Sequence, residues 1–200
     1  MNRNSKVQAI GGVPLYQLRI TLKWSKPPIW RRVLVRADTT LDRLHDVIQF
    51  AMGWTNSHMH QYFAGKGFAV TCYGKPDPGF AGMGSEMLNE RRYTVVDLAP
   101  APRRKFIYEY DFGDGWEHEV LVEKILSLDS TFKHPVCLAG ENACPPEDCG
   151  GIGGYYNLLE ILADPKHSEH ETMKEWIGGE FDVARFDRNA TNVWLKQLRA

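Results

Sequence analysis

The sequence predicts an α+β fold: a mainly antiparallel sheet packed against helices, with a C-terminal helical segment. Two alternating stretches and one helical period predict it. Apolar and polar residues alternate at 16–24 and again at 106–112, the period of a half-buried strand. Leu41, Leu44, Val47, Ile48 and Ala51 recur at the spacing of one helix face. With 43% hydrophobic residues, 12% aromatic residues and six Trp in 200 residues, the chain has enough apolar area to offset the entropy of ordering itself. One domain is expected, sheet-rich over 1–126 and made of loop and helices over 127–200.

In the first strand Tyr16, Leu18, Ile20, Leu22 and Trp24 point one way and Gln17, Arg19, Thr21 and Lys23 the other. Lys26-Pro27-Pro28 breaks it, because proline has no N–H to give a ladder, and 29–36 reads as its antiparallel partner. Thr39 or Thr40 caps the helix that follows, Asp42 sits in its first turn, and Gly53 ends it. Residues 58–73 read as two short strands broken at 65–67, and the Gly- and Pro-rich 74–84 as a loop.

Phe106, Tyr108, Tyr110 and Phe112 alternate with polar neighbours, and 116–125 is a second extended run after Gly113-Asp114-Gly115. Glycine pays no Cβ clash in the left-handed angles of a bulged hairpin turn, so this pair reads as a hairpin. Residues 126–154 read as irregular, and helices are expected at 155–163, at 168–177 with Ser168 and Glu171 as a capping pair, and at 187–198.

Bulk charge narrows function. The net charge of −1 argues against a general polyanion binder, which needs clustered Lys and Arg to displace counterions. Arg31-Arg32, Arg91-Arg92 and Arg103-Arg104-Lys105, interleaved with aromatic residues, therefore read as a solvated sheet face before a nucleic-acid track. No run is long and apolar enough for a membrane span, and the start lacks the apolar stretch of a secretory signal. A cytoplasmic protein with reduced cysteines and no membrane partner is the expectation.

The turn Asp111-Phe112-Gly113-Asp114-Gly115-Trp116-Glu117-His118 crowds carboxylates, an imidazole and an indole around one hairpin. Asp111, Asp114 and His118 are oxygen and nitrogen donors for a divalent metal or an acid/base pair, with Trp116 as a pocket wall and Glu117 beside it. The same residues also suit a purely structural turn, Asp114 bonding its own backbone, Trp116 in the core and His118 a cross-strand partner. Asp-Phe-Gly lacks the companion motifs of a protein kinase. His58 and His60 share one face of a strand and would join this site only if the strands are neighbours. Cys137, Cys144 and Cys149 stand as C-x6-C-x4-C, looser than the close pairs typical of zinc, with His134 as a fourth candidate. The alternative is a rigid Pro- and Gly-shaped loop in which the thiols pack as small hydrophobes. Gly150-Gly151-Ile152-Gly153-Gly154 reads as a helix entrance, lacking the Lys-Ser/Thr ending of a phosphate loop.

Pro28-Ile29-Trp30-Arg31-Arg32, Leu44-His45 through Met52-Gly53-Trp54 to His58 and His60, Tyr110 to His118, and Cys144-Pro145-Pro146-Glu147-Asp148-Cys149-Gly150-Gly151 with Tyr155 together resemble the plasmid pRiA open-reading-frame-three-like family. Its members are also called insertion-element passenger proteins of the TnpR family. That second name implies recombination, yet Tyr16-Gln17-Leu18-Arg19-Ile20 has no Ser where a serine resolvase has its nucleophile. The resemblance implies a compact α+β fold and supplies no catalytic residues. Two functions remain open: a binding or interaction module with a protein or nucleic-acid partner, associated with mobile genetic elements, and a metal-dependent hydrolase or nuclease built on the Asp/His hairpin.

Overall fold

The computed structural model describes residues 12–67, 69–76, 87–127 and 131–198. Among the described residues eight strands form one sheet in the order β5-β4-β3-β6-β7-β1-β2-β8. They are β1 Leu15–Leu22, β2 Trp30–Arg36, β3 His60–Lys66, β4 Ala69–Gly74, β5 Leu88–Asn89, β6 Lys105–Tyr110, β7 Trp116–Leu126 and β8 Val136–Glu141. Every pairing is antiparallel except β4 with β5. Among the described residues five α-helices accompany the sheet, α1 Leu41–Met52, α2 Val95–Leu98, α3 Gly151–Ala163, α4 His170–Trp176 and α5 Arg188–Leu195, with a short 3-10 helix at Glu90–Arg92. Among the described residues no helix is long and apolar enough to cross a membrane.

Alternation sorts the sheet into two faces. Tyr16, Leu18, Ile20 and Leu22 of β1, Val33 and Val35 of β2, Phe106, Tyr108 and Tyr110 of β6, and Trp116, Val120 and Val122 of β7 are buried in one apolar cluster. Leu41, Leu44, Val47, Ile48 and Ala51 of α1, Tyr155 of α3 and Leu195 of α5 belong to the same cluster. The opposite face carries paired charges: Glu123 accepts from Gln17 and Arg32, Lys23 meets Glu117, and Lys105 meets Glu119. Burying one face and salting the other fixes the register, since a one-residue slip would exchange them.

The β1–β2 connection is closed by Ser25, whose hydroxyl donates to the Leu22 carbonyl and accepts from the Ile29 N–H. Gly53 ends α1 in the left-handed conformation that a side chain resists. Six expectations are corrected. Trp24, read as the last inward residue of the first strand, lies past β1 with φ 62° and is exposed. Arg31, read on a solvated sheet face, is buried, donating to the carbonyls of Trp30, Ala51 and Glu141. Residues 136–141, read as irregular, form the edge strand β8 against β2. Phe112 leaves the strand alternation and is exposed in the turn. Helix α3 begins at Gly151 rather than at 155. Helix α4 begins at His170, with Glu169 and not Ser168 at its start and no side-chain cap. Past residue 76, the loop expected at 74–84 lies outside the described residues.

Candidate functional site

At the sheet end where β3 and β7 start and β6 stops, three segments meet. The first is the turn after β6. Asp111 has φ 56°, its N–H donates to the Met59 carbonyl at 2.8 Å, and its carbonyl accepts from Gly115 N–H at 2.6 Å. Its Oδ1 accepts from the Gly113 and Asp114 N–H groups, so the turn occupies one carboxylate oxygen and leaves Oδ2 directed at His58, 3.6 Å from Nε2.

The second segment, 55–58, follows α1. Asn56 has φ 61°, and the N–H groups of Ser57 and His58 both donate to the Tyr110 hydroxyl. That hydroxyl donates to Glu147 Oε1 at 2.5 Å, and burial with the adjacent carboxylate pushes its pKa up, so Tyr110 stays a donor.

The third segment is 144–150. The Trp54 indole N–H donates to the Pro145 carbonyl, Thr55 donates through N–H and hydroxyl to Glu147 Oε2, and the Gly150 N–H donates to Asp114 Oδ2. Gly151 is required by contact, because a Cβ there would overlap the Asp114 carbonyl. So anchored, the loop brings Asp148, φ 60°, to His58: Oδ1 lies 3.0 Å from Nε2.

His58, Asp111 and Asp148 thus offer one imidazole nitrogen and two carboxylate oxygens, all within 4.8 Å of one another. Nε2 lies 3.6 Å from Asp111 Oδ2 and 3.0 Å from Asp148 Oδ1, within the range of about 3 to 4 Å for ligand atoms that share an ion at bond lengths near 2 Å. His58 Nε2 is buried and, among the described residues, makes no aligned hydrogen bond despite its closeness to Asp148. The side chain of Asp111 is 10% exposed, that of His58 29% and that of Asp148 67%, so the cluster opens to solvent on the Asp148 side. Three non-glycine residues with positive φ, Asn56, Asp111 and Asp148, converge here; Asn and Asp tolerate that region better than other side chains, and such angles gather at functional sites.

Of the residues singled out in the sequence, His58 and Asp111 meet. Asp114 instead holds Gly150, and Glu117 lies on the charged face with Lys23. Trp116 and His118 are core residues around Trp54, at ring separations of 5.8 and 5.2 Å. His118 is wholly buried, its Nδ1 facing the Trp116 carbonyl, and burial pushes its pKa down to about 4. His60 pairs with the buried Glu90 at 2.7 Å and stacks on His45. Cys137 is buried beside Arg31 and tied through its backbone to Asn192, while burial pushes the thiols of Cys144 and Cys149 up, Cys149 to about 12. Among the described residues the group with ligand spacing is the His58 cluster, and it contains no cysteine. Asp148 went unrecognised in the sequence, although it stands in the Cys-Pro-Pro-Glu-Asp-Cys motif.

Fold and site together define an α+β protein with an open carboxylate and imidazole cluster at one end of a broad sheet. The chain belongs to the family of plasmid pRiA4b ORF-3-like proteins, whose model matches residues 14–190, as the motifs implied. It is 37% identical over 186 residues to the uncharacterized protein y4hQ of Sinorhizobium fredii (strain NBRC 101917 / NGR234), covering 92% of each chain. It is also similar to a crystallised protein of unknown function, MM3350, from Methanosarcina mazei Go1, at 33% identity and a TM-score of 0.78, over 90% of this chain and 98% of that one.

Proposed function

We propose that the chain is a metal-dependent hydrolase that binds one divalent cation through His58 Nε2, Asp111 Oδ2 and Asp148 Oδ1. The observation that carries this is the convergence of the three donor atoms from three separate segments, each held by its own hydrogen bonds. Two carboxylates and one imidazole suit Zn²⁺ or Mn²⁺ and leave coordination positions for water and substrate. A cation so held lowers the pKa of bound water and polarises a carbonyl or phosphoryl oxygen, the chemistry of ester and phosphodiester hydrolysis.

The test is a titration of chelator-treated protein with Mn²⁺ or Zn²⁺ by calorimetry, beside Asp111→Asn and Asp148→Asn, with a chromogenic phosphodiester as substrate. One site per chain is expected in the wild type, lost together with hydrolysis in the variants. Unchanged binding in both variants sinks the reading. A second reading, an interaction module, draws on the exposed Trp24, Phe112, Trp176 and Trp194, since aromatic residues anchor interfaces. Binding of a protein or nucleic acid that survives Asp111→Asn and needs Phe112 favours the module.

A further inference from the structure

Next to the cluster in the chain lies a polar network, buried at His45, Gln49 and Tyr108 and reaching the surface at Asn56. His45 and Gln49, one helical turn apart on α1, are 4% and 1% exposed in an otherwise apolar helix face. Burying two polar side chains there costs stability unless every donor and acceptor is matched. They are matched by Tyr108 and Asn56: His45 Nδ1 lies 2.7 Å from the Tyr108 hydroxyl and Nε2 2.6 Å from Asn56 Oδ1. Gln49 donates to the same hydroxyl at 2.9 Å and accepts from the Asn56 N–H at 3.1 Å.

With His45 neutral, the donors and acceptors admit one assignment. An amide oxygen only accepts, so His45 carries its proton on Nε2 and donates to Asn56. Nδ1 then accepts from the Tyr108 hydroxyl, whose oxygen accepts from Gln49. A neutral His45 satisfies the whole network, in keeping with burial and the neighbouring His60, which push its pKa down to about 3. The ring is further fixed by stacking on His60 at 3.5 Å, and His60 is held by Glu90.

Asn56 therefore has both its N–H and its side-chain oxygen gripped by α1 while its backbone is left-handed, two residues before His58. We propose that His45 and Gln49 are positioning residues for the cation site, acting through Asn56 to lock 55–58 in the conformation that turns His58 toward Asp111 and Asp148. This rests on the cation reading above. Supporting groups of this kind orient metal ligands, and their loss lowers affinity without touching the ion.

Asn56→Gly keeps the positive φ at no steric cost and removes only the side-chain acceptor, and Asn56→Asp restores that acceptor. Titration with Mn²⁺ alone should show binding weakened about ten- to a hundredfold in the Gly variant and recovered in the Asp variant. Urea midpoints verify that both fold, and ¹⁵N chemical shifts of His45 should place its proton on Nε2. Wild-type Mn²⁺ affinity in Asn56→Gly, or a His45 proton on Nδ1, overturns the positioning role and leaves the cation site standing. A wild type that binds neither Mn²⁺ nor Zn²⁺ overturns the cation site itself and the positioning role with it.

Discussion

Acid should destabilise this protein through His118. The ring is fully buried in β7 under Trp54 and next to Tyr108, and among the described residues its Nε2 has no aligned hydrogen-bond partner. Burial pushes its pKa from 6.5 down to about 4, with the nearby Arg31 acting in the same direction. In the unfolded chain the imidazole takes up its proton near pH 6.5, while the folded chain refuses it until about pH 4. The unfolded state thus binds more protons throughout that window, so stability is intact above it and falls as pH falls through it. A gap of that size converts to about 3 kcal/mol at full protonation, a large share of the stability of a protein this size. The comparison is His118→Phe, which keeps a ring of similar shape and removes the titration. Urea unfolding followed by Trp fluorescence at several pH values between 7.5 and 4.5 should give the variant a shallower dependence by the slope of one proton. Asp38 and Glu123, whose carboxyls are held below the usual range chiefly by hydrogen bonds from Arg36 and Arg32, also lose stability in acid, but equally in both proteins. Identical slopes for wild type and variant would refute a neutral, buried His118.

Three other outcomes are expected from urea or thermal unfolding. In Gly154→Ala a Cβ would overlap the Cys149 carbonyl, so the variant should lose about 2 kcal/mol and, with the loop displaced, bind Mn²⁺ less tightly. Asp187→Ala removes the acceptor for the N–H groups of Asn189 and Ala190 at the start of α5 and should cost about 1 kcal/mol, read as a lower melting temperature. Arg31→Met strips the donors from the carbonyls of Trp30, Ala51 and Glu141 and the cation from the Phe186 ring, and should cost about 3 kcal/mol.

The elements with strict alternation or a clear stop are legible in the sequence: β1 and β6 by period, β2 and β7 as the extended runs that follow a proline break and a Gly-Asp-Gly turn, α1 by its apolar face and Gly53. What escaped was decided by tertiary context. Strand β8 reads Val-Cys-Leu-Ala-Gly-Glu, in which small residues blur the period. Its pairing with β2 carries a register shift between Arg32 and Val33, so no local pattern marks it. The first turn of α3 is hidden because glycine is a poor helix former. Glycine stands there because Asp114 and Cys149 press their carbonyls against Gly151 and Gly154, a constraint that only the folded chain displays. Likewise Ser168 offered a plausible cap, yet α4 starts two residues later, where the His170 ring meets the Ile161 carbonyl.

The site divides along the same line. His58 and Asp111 stand out in the sequence as donor side chains, while Asp148 lies between Cys144 and Cys149 in a segment whose thiols are its more distinctive donors. The structure gives that loop a different logic. Glu147 spends both carboxylate oxygens on Tyr110 and Thr55, and those bonds fasten the loop to the two segments that carry Asp111 and His58. Asp148, one residue on and in a left-handed conformation, accepts no comparable set of bonds and projects to the solvent side of His58. One acidic residue is consumed in holding the loop so that the next can present a free oxygen. The Glu-Asp pair following two prolines thus fastens the loop through Glu147 and sets Asp148 beside His58, an arrangement that spacing between the cysteines does not reveal.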